Sequence, residues 1–282
     1  MASVALEYGA PPPDLADRVS AFYQLTVQSA TYDDVERADR PQLRFQIKGT
    51  GTYHFAEDRV EANHPITLLG PTSGPVRGVG AGPMLLVGAG LMPRAWVALA
   101  GSHAEHLTDK VINFGASMGA EGSALLAAMA AADGAESRFA LLADYIRQQT
   151  ATQAEDFWFP VVVDKWLTDN LDPHVDQLMA ETGLGMRQIE RLTKRYYGLP
   201  PKTLSRRYRA VRAAAALSRG EDLAASGLGD SFYDQSHLIR EIKRFAGLTP
   251  EQVRSGTSEI QTKVSKGLKS LEGQVPPLIS DA

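Results

Sequence analysis

Two stretches of the chain, each 17 residues long, are alike and decide how its second half is interpreted. Residues 185–201 are GMRQIERLTKRYYGLPP, and residues 234–250 are DQSHLIREIKRFAGLTP. Aligned without a gap at an offset of 49 positions, they share six identities, and Ile189 and Tyr196 are matched by Leu238 and Phe245. Such a repeat indicates one structural unit that is used twice.

Each copy predicts one amphipathic helix. Apolar residues recur at helical spacing in both copies, for example Ile189, Leu192 and Tyr196 in the first. Gly198 and Gly247 follow, where a helix end commonly takes a left-handed glycine. A further short segment precedes each helix, at 172–183 and 221–229, so we expect the order helix, tight turn, helix twice.

Residues 202–219 predict one long helix between the two copies. Leu204, Tyr208, Val211 and Ala215 form its apolar stripe. Four arginines lie off that stripe, namely Arg206, Arg207, Arg209 and Arg212. A rigid connection of this kind lets two basic helices enter successive major grooves of DNA, roughly 34 Å apart.

The charge of the chain is divided unevenly. The whole chain carries −4, but residues 1–173 hold 12 basic and 21 acidic side chains, whereas residues 174–256 hold 14 basic and 9 acidic ones. A basic segment suits phosphate contacts. There is no cysteine, which excludes a disulfide scaffold, a cysteine-ligated zinc site and a thiol nucleophile. No signal peptide is visible at the start, so we expect a cytoplasmic protein.

The first half has a different pattern. Leu43, Phe45 and Ile47 alternate as in a strand, residues 49–51 resemble a turn, and strands are also expected at 52–55, 65–69 and 84–87. Helical patterns begin near Pro93, and a helix at 155–170 opens the second half. The predicted fold is α+β: a small N-terminal β-barrel- or sandwich-like domain with helices, then an all-α domain with two helix-turn-helix motifs joined by a long helix. The predicted divisions are a regulatory domain at 1–150, a DNA-binding domain at 151–256 and a loosely ordered tail at 257–282.

The second half resembles the AraC/XylS family of bacterial transcription regulators. The resemblance covers roughly residues 160–256 and rests on the two repeat copies, above all on YDQSHL at 233–238 and GLTP at 247–250. Residues 90–96, GLMPRAW, more faintly resemble the regulatory domain of some members. The chain departs from the family pattern at Gly185, where a serine would cap the first recognition helix. It also departs at Gly227, Gly229 and Ser231, which makes the second motif prone to fraying.

The resemblance implies which residues contact DNA. Residues at base-facing positions are Arg187, Glu190 and Arg191 in the first copy and Gln235, Ser236, His237 and Arg240 in the second. Arginine can pair with guanine, glutamine with adenine, and glutamate can accept a hydrogen bond from cytosine. Lys194, Arg195, Lys243 and Arg244 are expected to contact phosphates or to remain solvated.

Other candidate sites are weaker. His103 and His106, with Glu105 between them, have ligand types that suit a metal, but ordinary surface histidines are the expectation. No nucleophile motif and no phosphate-binding motif is present. We therefore expect no catalytic residue, no metal, no cofactor and no enzymatic activity.

The predicted function is sequence-specific transcription regulation, with activation as the expected mode. The predicted partners are double-stranded DNA, a small-molecule effector, a second copy of the chain and, for an activator, RNA polymerase; no membrane is expected. Phe45, Tyr53, Phe55 and Trp96 are expected to line the effector pocket, and residues 136–149 offer an apolar face either to a partner helix or to their own sheet. The alternative is a small-molecule binding protein or enzyme whose C-terminal repeat serves another partner.

Overall fold

The computed structural model describes residues 4–152 and 156–282. An antiparallel sheet comes first in the chain. Its strands are β1 (Val4–Gly9), β2 (Val19–Val27), β3 (Thr31–Glu36), β4 (Gln42–His54), β5 (Val60–Ala62), β6 (Ile66–Leu69), β7 (Val76–Leu91) and β8 (Val111–Asn113).

The long strand β7 organises this sheet. Hydrogen bonds connect the strands in the order β1-β2-β7-β4-β6-β8, while β3 pairs with β7 and β5 pairs with β4. The second half of β7 pairs with β2, from Met84 opposite Val27 to Leu91 opposite Val19, and its first half pairs with β3. Gly88 lets the strands pack closely, because a Cβ there would lie within 2.9 Å of ring atoms of Tyr23.

The turn expected at 49–51 was wrong. β4 continues through it as one strand, and the register against β7 shifts between Gln46 and Thr50. Gly49 has a φ of +82°, a conformation that glycine adopts at no steric cost. The glycine therefore makes a bulge inside a strand rather than a turn between two strands.

Four helices pack beside the sheet or follow its last strand: α1 (Pro93–Ala100), α2 (Phe114–Met118), α3 (Ala120–Ala131) and α4 (Gly134–Thr150). The ring of Phe139 on α4 stacks on Phe22 of β2 at 5.9 Å, and Leu142 and Ile146 are fully buried. The apolar face of 136–149 thus packs on its own sheet and is not free for a partner helix.

The second half is helical, with α5 (Trp158–Asp169), α6 (Val175–Thr182), α7 (Met186–Tyr197), α8 (Pro201–Ser218), α9 (Gln235–Ala246) and α10 (Pro250–Arg254). Of the helix expected at 155–170, Glu155 lies outside the described residues. Both repeat copies are helices, α7 and α9, and α8 joins them. The predicted fold class is confirmed.

The segment before α9 is not the short helix that the repeat suggested. Residues 223–227 form turns, and a single 3-10 turn follows at Gly229–Ser231. Gly227 has a φ of +72°, which ends any right-handed helix at that point. Leu223, Leu228 and Phe232 are nevertheless buried with Ile242 in one cluster, so the second motif keeps its packing without its first helix.

The tail is not loosely ordered. Residues after Thr257 form α11 (Glu259–Lys269) and α12 (Pro277–Ser280), and Ile260, Leu268 and Ile279 are buried. Ser258 caps α11 by accepting from the backbone N–H of Gln261 at 3.1 Å. The expectation failed because the apolar residues of the tail pack on distant strands and on α5 and α8, which a local pattern does not show. In the described ranges no helix has the length and apolar character needed to cross a bilayer.

Candidate nucleic-acid interface

Helix α7 separates a buried face from an exposed face. Ile189, Thr193 and Tyr196 are buried, whereas Arg187, Glu190 and Arg191 are exposed. Lys194 and Arg195 are half-buried, and the guanidinium of Arg195 lies over the ring of Tyr196 at 5.1 Å. The three residues assigned to base contacts therefore share the outer face, and the two assigned to phosphates lie at its edge.

Helix α9 repeats this arrangement with small differences. Ile242 and Phe245 are buried. The exposed residues include five of the predicted contacts, namely Gln235, Ser236, Arg240, Lys243 and Arg244.

His237 is half-buried and takes part in the turn that begins α9. Its backbone N–H donates to Asp234 Oδ1 at 2.6 Å, so Asp234 is the N-cap. Its Nδ1 accepts from the backbone N–H of Tyr233 at 3.2 Å, and its ring lies 5.8 Å from that of Phe232. His237 is thus a structural residue of the turn. Because Nδ1 is already hydrogen-bonded, Nε2 is the ring nitrogen left for a base contact.

The two helices have the same length and the same ending. Each has 12 residues, and each is followed by a left-handed glycine, Gly198 with φ +75° and Gly247 with φ +76°. The offset of 49 residues between the sequence copies is therefore also the offset between structurally equivalent positions.

The arginines of α8 are used inside the protein. Arg206 donates through Nε and Nη2 to both carboxylate oxygens of Glu241, at 2.8 and 2.6 Å. Arg209 is buried, pairs with Asp172 and lies over the ring of Phe232. Arg207 donates to the carbonyls of Asp39 and Thr72, both at 3.2 Å. Part of the positive charge counted in the sequence thus forms contacts of α8 inside the protein.

The role of Glu241 was not predicted from the sequence. Glu241 is 2% exposed, and it occupies the position that Leu192 occupies in the first copy. Burial alone would raise the pKa of its carboxyl group, but the hydrogen bonds and charge of Arg206 outweigh burial and hold the pKa below its ordinary value. The sequence did contain a signal for this buried pair, namely an acidic residue at a repeat position that is apolar in the first copy.

The sheet domain contacts the C-terminal ends of both α7 and α9. Thr108 donates to the carbonyl of Gly198 at 3.1 Å, and the backbone N–H of Ala38 donates to the carbonyl of Phe245 at 2.7 Å. The opposite ends of both helices carry the exposed residues Met186 and Gln235. The contacts with the sheet domain therefore leave the N-terminal ends of α7 and α9 open to a ligand.

A cavity of about 840 Å³, the open solvent at its mouth included, lies between β1, β2 and α11. The four aromatic residues expected to line a pocket are not among its walls. Phe45 and Trp96 are fully buried in the core of the sheet domain, and Tyr53 packs with Phe55 in a separate small cluster. The cavity is instead lined by aliphatic residues of both the sheet and α11, by two tyrosines and by side chains of both charges; among them are Leu6, Leu25, Ile260, Val264, Tyr8, Tyr23, Glu36, Arg37, Asp39 and Arg40.

Arg37 is the unusual residue of this cavity. It is 6% exposed, and its Nε and Nη1 are buried without a hydrogen-bond partner among the described residues. Burial lowers the pKa of its guanidinium group, which Asp39 partly offsets. Buried N–H groups of a cation are costly to leave unpaired.

His103, Glu105 and His106 lie together near the C-terminal end of α7. Their ligand atoms are all within 4.8 Å of one another, and all three side chains are exposed. The imidazole rings are stacked with their centres 5.5 Å apart. This cluster is the one group of metal-ligand type found among the described residues.

Comparison with known proteins locates the domain. Residues 178–256 match the helix-turn-helix domain family. No curated protein matches the chain significantly in sequence.

Similar solved structures include apo ToxT from Vibrio cholerae, with 8% identity over 90% of this chain and 97% of that chain and a TM-score of 0.49. ToxT from Vibrio cholerae bound to (E)-4-(8-methylnaphthalen-1-yl)but-3-enoic acid has 10% identity over 89% and 98%, with a TM-score of 0.47. The AraC-like transcriptional activator CuxR has 14% identity over 79% and 90%, with a TM-score of 0.34. Because each TM-score is below 0.5, this likeness carries no argument about ligands or partners.

The family match covers both copies of the repeated helix, and both copies carry basic residues on the outer face. The two observations therefore point to the same domain. Residues 178–256 of this chain are a helix-turn-helix domain, the domain that the resemblance to AraC/XylS regulators predicted.

Proposed function

We propose that the chain is a sequence-specific transcription regulator whose helices α7 and α9 enter two successive major grooves of double-stranded DNA. The observation that carries this proposal is the equivalence of the two helices. They have equal length and an equal ending, exposed Arg191 matches exposed Arg240, and half-buried Lys194 matches exposed Lys243. Helix α8 has 18 residues and therefore spans about 27 Å, which suits two grooves about 34 Å apart.

The residues proposed to contact bases are Arg187, Glu190, Arg191, Gln235, Ser236, His237 and Arg240. Lys194, Arg195, Lys243 and Arg244 are proposed to contact phosphates. Among the described residues Arg191 and Arg240 make no ion pair, so their guanidinium groups are available to guanine.

The test uses the full chain and a pool of random double-stranded DNA. We expect the recovered sequences to contain two half-sites about 10 bp apart, and the affinity to fall steeply with salt because phosphate contacts release counterions. Arg191→Ala and Arg240→Ala should each cost about 1–3 kcal/mol on the recovered site and little on random DNA. Lys194→Ala should weaken binding to all sequences alike, and Lys263→Ala, on α11, serves as a charge-matched control. A flat salt response, or equal losses on both DNAs for the two arginines, would contradict the proposal.

We further propose that the sheet domain controls DNA binding through an effector held in the cavity beside α11. The unpaired N–H groups of Arg37 call for an anionic group, and the aliphatic walls call for an apolar body. The segment that carries Arg37 also contacts the DNA-binding domain, because the backbone N–H of Ala38 donates to the carbonyl of Phe245. It contacts α11 as well, because the carbonyl of Val35 accepts from Gln261 at 2.9 Å. An effector on Arg37 would thus act on the end of α9 through the neighbouring residue Ala38.

Decanoate and the uncharged decanol, which share the same apolar chain, separate these requirements. We expect decanoate to raise the midpoint of thermal unfolding of the full chain and to change its affinity for the recovered DNA site, and decanol to do neither. Arg37→Met should abolish the response, while Arg77→Met, an exposed arginine on β7, should retain it. A response that is the same for decanol, or that survives in Arg37→Met, would refute this assignment.

A second copy of the chain and, for an activator, RNA polymerase remain predicted partners. If the chain is a dimer, the apolar face of α4 is not the contact surface, because that face is covered by the sheet. Light scattering of the full chain at micromolar concentration, with and without DNA, tests the dimer.

A further inference from the structure

The exposed faces of α7 and α9 differ in chemistry at several equivalent positions, and at one of them a carboxylate faces an aliphatic side chain. The offset of 49 residues places Glu190 of α7 and Ile239 of α9 at the same point of two helices of equal length. Each is followed by an arginine, Arg191 or Arg240. At this position the helix and the cation that follows are matched, whereas the side chain is acidic in α7 and aliphatic in α9.

Both side chains lie on the outer face. Glu190 is exposed and makes no ion pair among the described residues. Ile239 is 38% exposed, and it shares its face with Ser236, three positions before it, and Lys243, four positions after it. The buried clusters of the second motif take up Leu238 and Ile242 on either side but not Ile239.

No carboxylate remains for base contacts on α9. Glu241 is buried and paired with Arg206, and Asp234 caps the helix. In contrast, α7 presents Glu190 on its outer face. In the major groove a carboxylate accepts from the amino group of cytosine N4 or adenine N6, while an aliphatic side chain contacts the methyl group of thymine.

We infer that the two half-sites are read differently at this position: Glu190 selects a base with an exocyclic amino group, and Ile239 selects thymine through its 5-methyl group. This inference rests on the proposed function. It adds one defined base difference between the half-sites of α7 and α9.

The test replaces thymine by deoxyuridine, which lacks only the 5-methyl group, at one position of the recovered site at a time. The half-site of each helix is first assigned from the base preferences lost in Arg191→Ala and Arg240→Ala. We expect one replacement in the α9 half-site to weaken binding of the full chain about fourfold, the value of one buried methyl-sized group. In Ile239→Ala the same replacement should have no effect.

An exchange of side chains gives the sharper result. Ile239→Glu should change the base recovered at that position from thymine to cytosine or adenine, and Glu190→Ile should make the opposite change in the α7 half-site. Both residues are exposed, so the thermal midpoints of the variants should stay close to that of the parent chain, which separates a change in reading from a loss of fold.

Two outcomes would overturn the inference while leaving the proposed function intact: an Ile239→Glu variant that recovers the same sequences as the parent, or a deoxyuridine effect that is equal in the parent and in Ile239→Ala. A parent chain that recovers no preferred sequence, or whose binding does not depend on salt, would instead refute the proposed function itself.

Discussion

Arg206 and Glu241 form a bidentate pair in which the carboxylate is buried and the guanidinium is about one-third exposed, with N–O distances of 2.8 and 2.6 Å. The pair joins the middle of α8 to the middle of α9. It therefore adds a polar contact to the apolar packing of α9 on α8.

Loss of this pair should destabilise the chain in a pH-dependent way. Arg206→Ala leaves a buried carboxylate unpaired, and we expect the free energy of unfolding at pH 7 to fall by about 1–3 kcal/mol. The pKa of Glu241 is held below its ordinary value, so the stabilisation is present above that ordinary pKa and is lost as the pH falls through the lowered one. Urea unfolding at pH 7 and pH 4 measures the difference, which should shrink in acid. Lys243→Ala, an exposed cation on α9, is the control and should cost less than about 0.5 kcal/mol; a loss that does not depend on pH would argue against the pair.

Substitutions at two glycines can separate the energy of the contact between the sheet domain and α7 from the energy of backbone strain. Gly198 and Gly183 both end helices in the left-handed region, with φ of +75° and +67°. A Cβ at Gly183 meets nothing within 4 Å, whereas one at Gly198 would lie 2.6 Å from Pro71 and also too close to Thr108.

We therefore expect Gly183→Ala to cost only the backbone strain, about 1–2 kcal/mol. Gly198→Ala should cost about 1–3 kcal/mol more, because the side chain also pushes α7 away from the sheet domain. Urea unfolding of the two variants side by side gives the comparison. Equal losses would mean that Pro71 and Thr108 yield freely and that this contact does not hold α7 in place.

The parts of the fold that could be predicted are those set by local spacing. The stripes of Ile189, Leu192 and Tyr196, with the glycine that follows, depend on residues within one helix, and the repeat gave two independent views of the same pattern. The exposure of Arg191 and Arg240 follows from the same periodicity.

What could not be predicted depends on contacts between distant segments. The pairing of Arg206 with Glu241 spans 35 positions, and Gln261 of the tail donates to the carbonyl of Val35 across 226. The cavity at Arg37 exists because α11 packs near β1 and β2. No local pattern in the tail predicts that packing. The bulge at Gly49 has the same origin, since a neighbouring strand keeps β4 extended where a lone glycine pattern predicts a turn.

The cap of α9 offers a test of the second motif alone. Asp234 accepts from the backbone N–H of His237, while the equivalent residue of α7 is Gly185, which has no side chain to do so. Asp234→Ala should lower the free energy of unfolding by about 1 kcal/mol, whereas Asp234→Gly should lower it by only a few tenths of a kcal/mol. The glycine variant would give α9 the same N-cap residue that α7 has at Gly185. Amide hydrogen exchange should speed up in the first turn of α9 and not in α7. Unchanged exchange at α9 would show that the turn is held by other contacts, such as the bond between His237 and Tyr233.

The last prediction concerns Asp164, which lies on α5 against α7. Its Oδ1 accepts from the hydroxyl of Tyr197 at 2.8 Å, and burial raises the pKa of its carboxyl group to about 6, although the hydrogen bond from Tyr197 opposes that shift. A carboxyl group with a raised native pKa stabilises the fold while it is protonated, and this stabilisation is lost as the pH rises from the ordinary value of 3.8 through 6. Asp164→Asn keeps an acceptor for Tyr197 and removes the charge. We therefore expect the variant to be more stable than the parent by about 1–2 kcal/mol at pH 7.5, less than the full shift implies because solvent partly reaches the group, and close to the parent at pH 4.5. Asp169→Asn, an exposed acid on the same helix, should show no such rise with pH. Thermal unfolding of the three chains between pH 4.5 and 8 decides the matter, and a variant that is less stable than the parent at pH 7.5 would mean that the ionised carboxylate is well compensated where it lies.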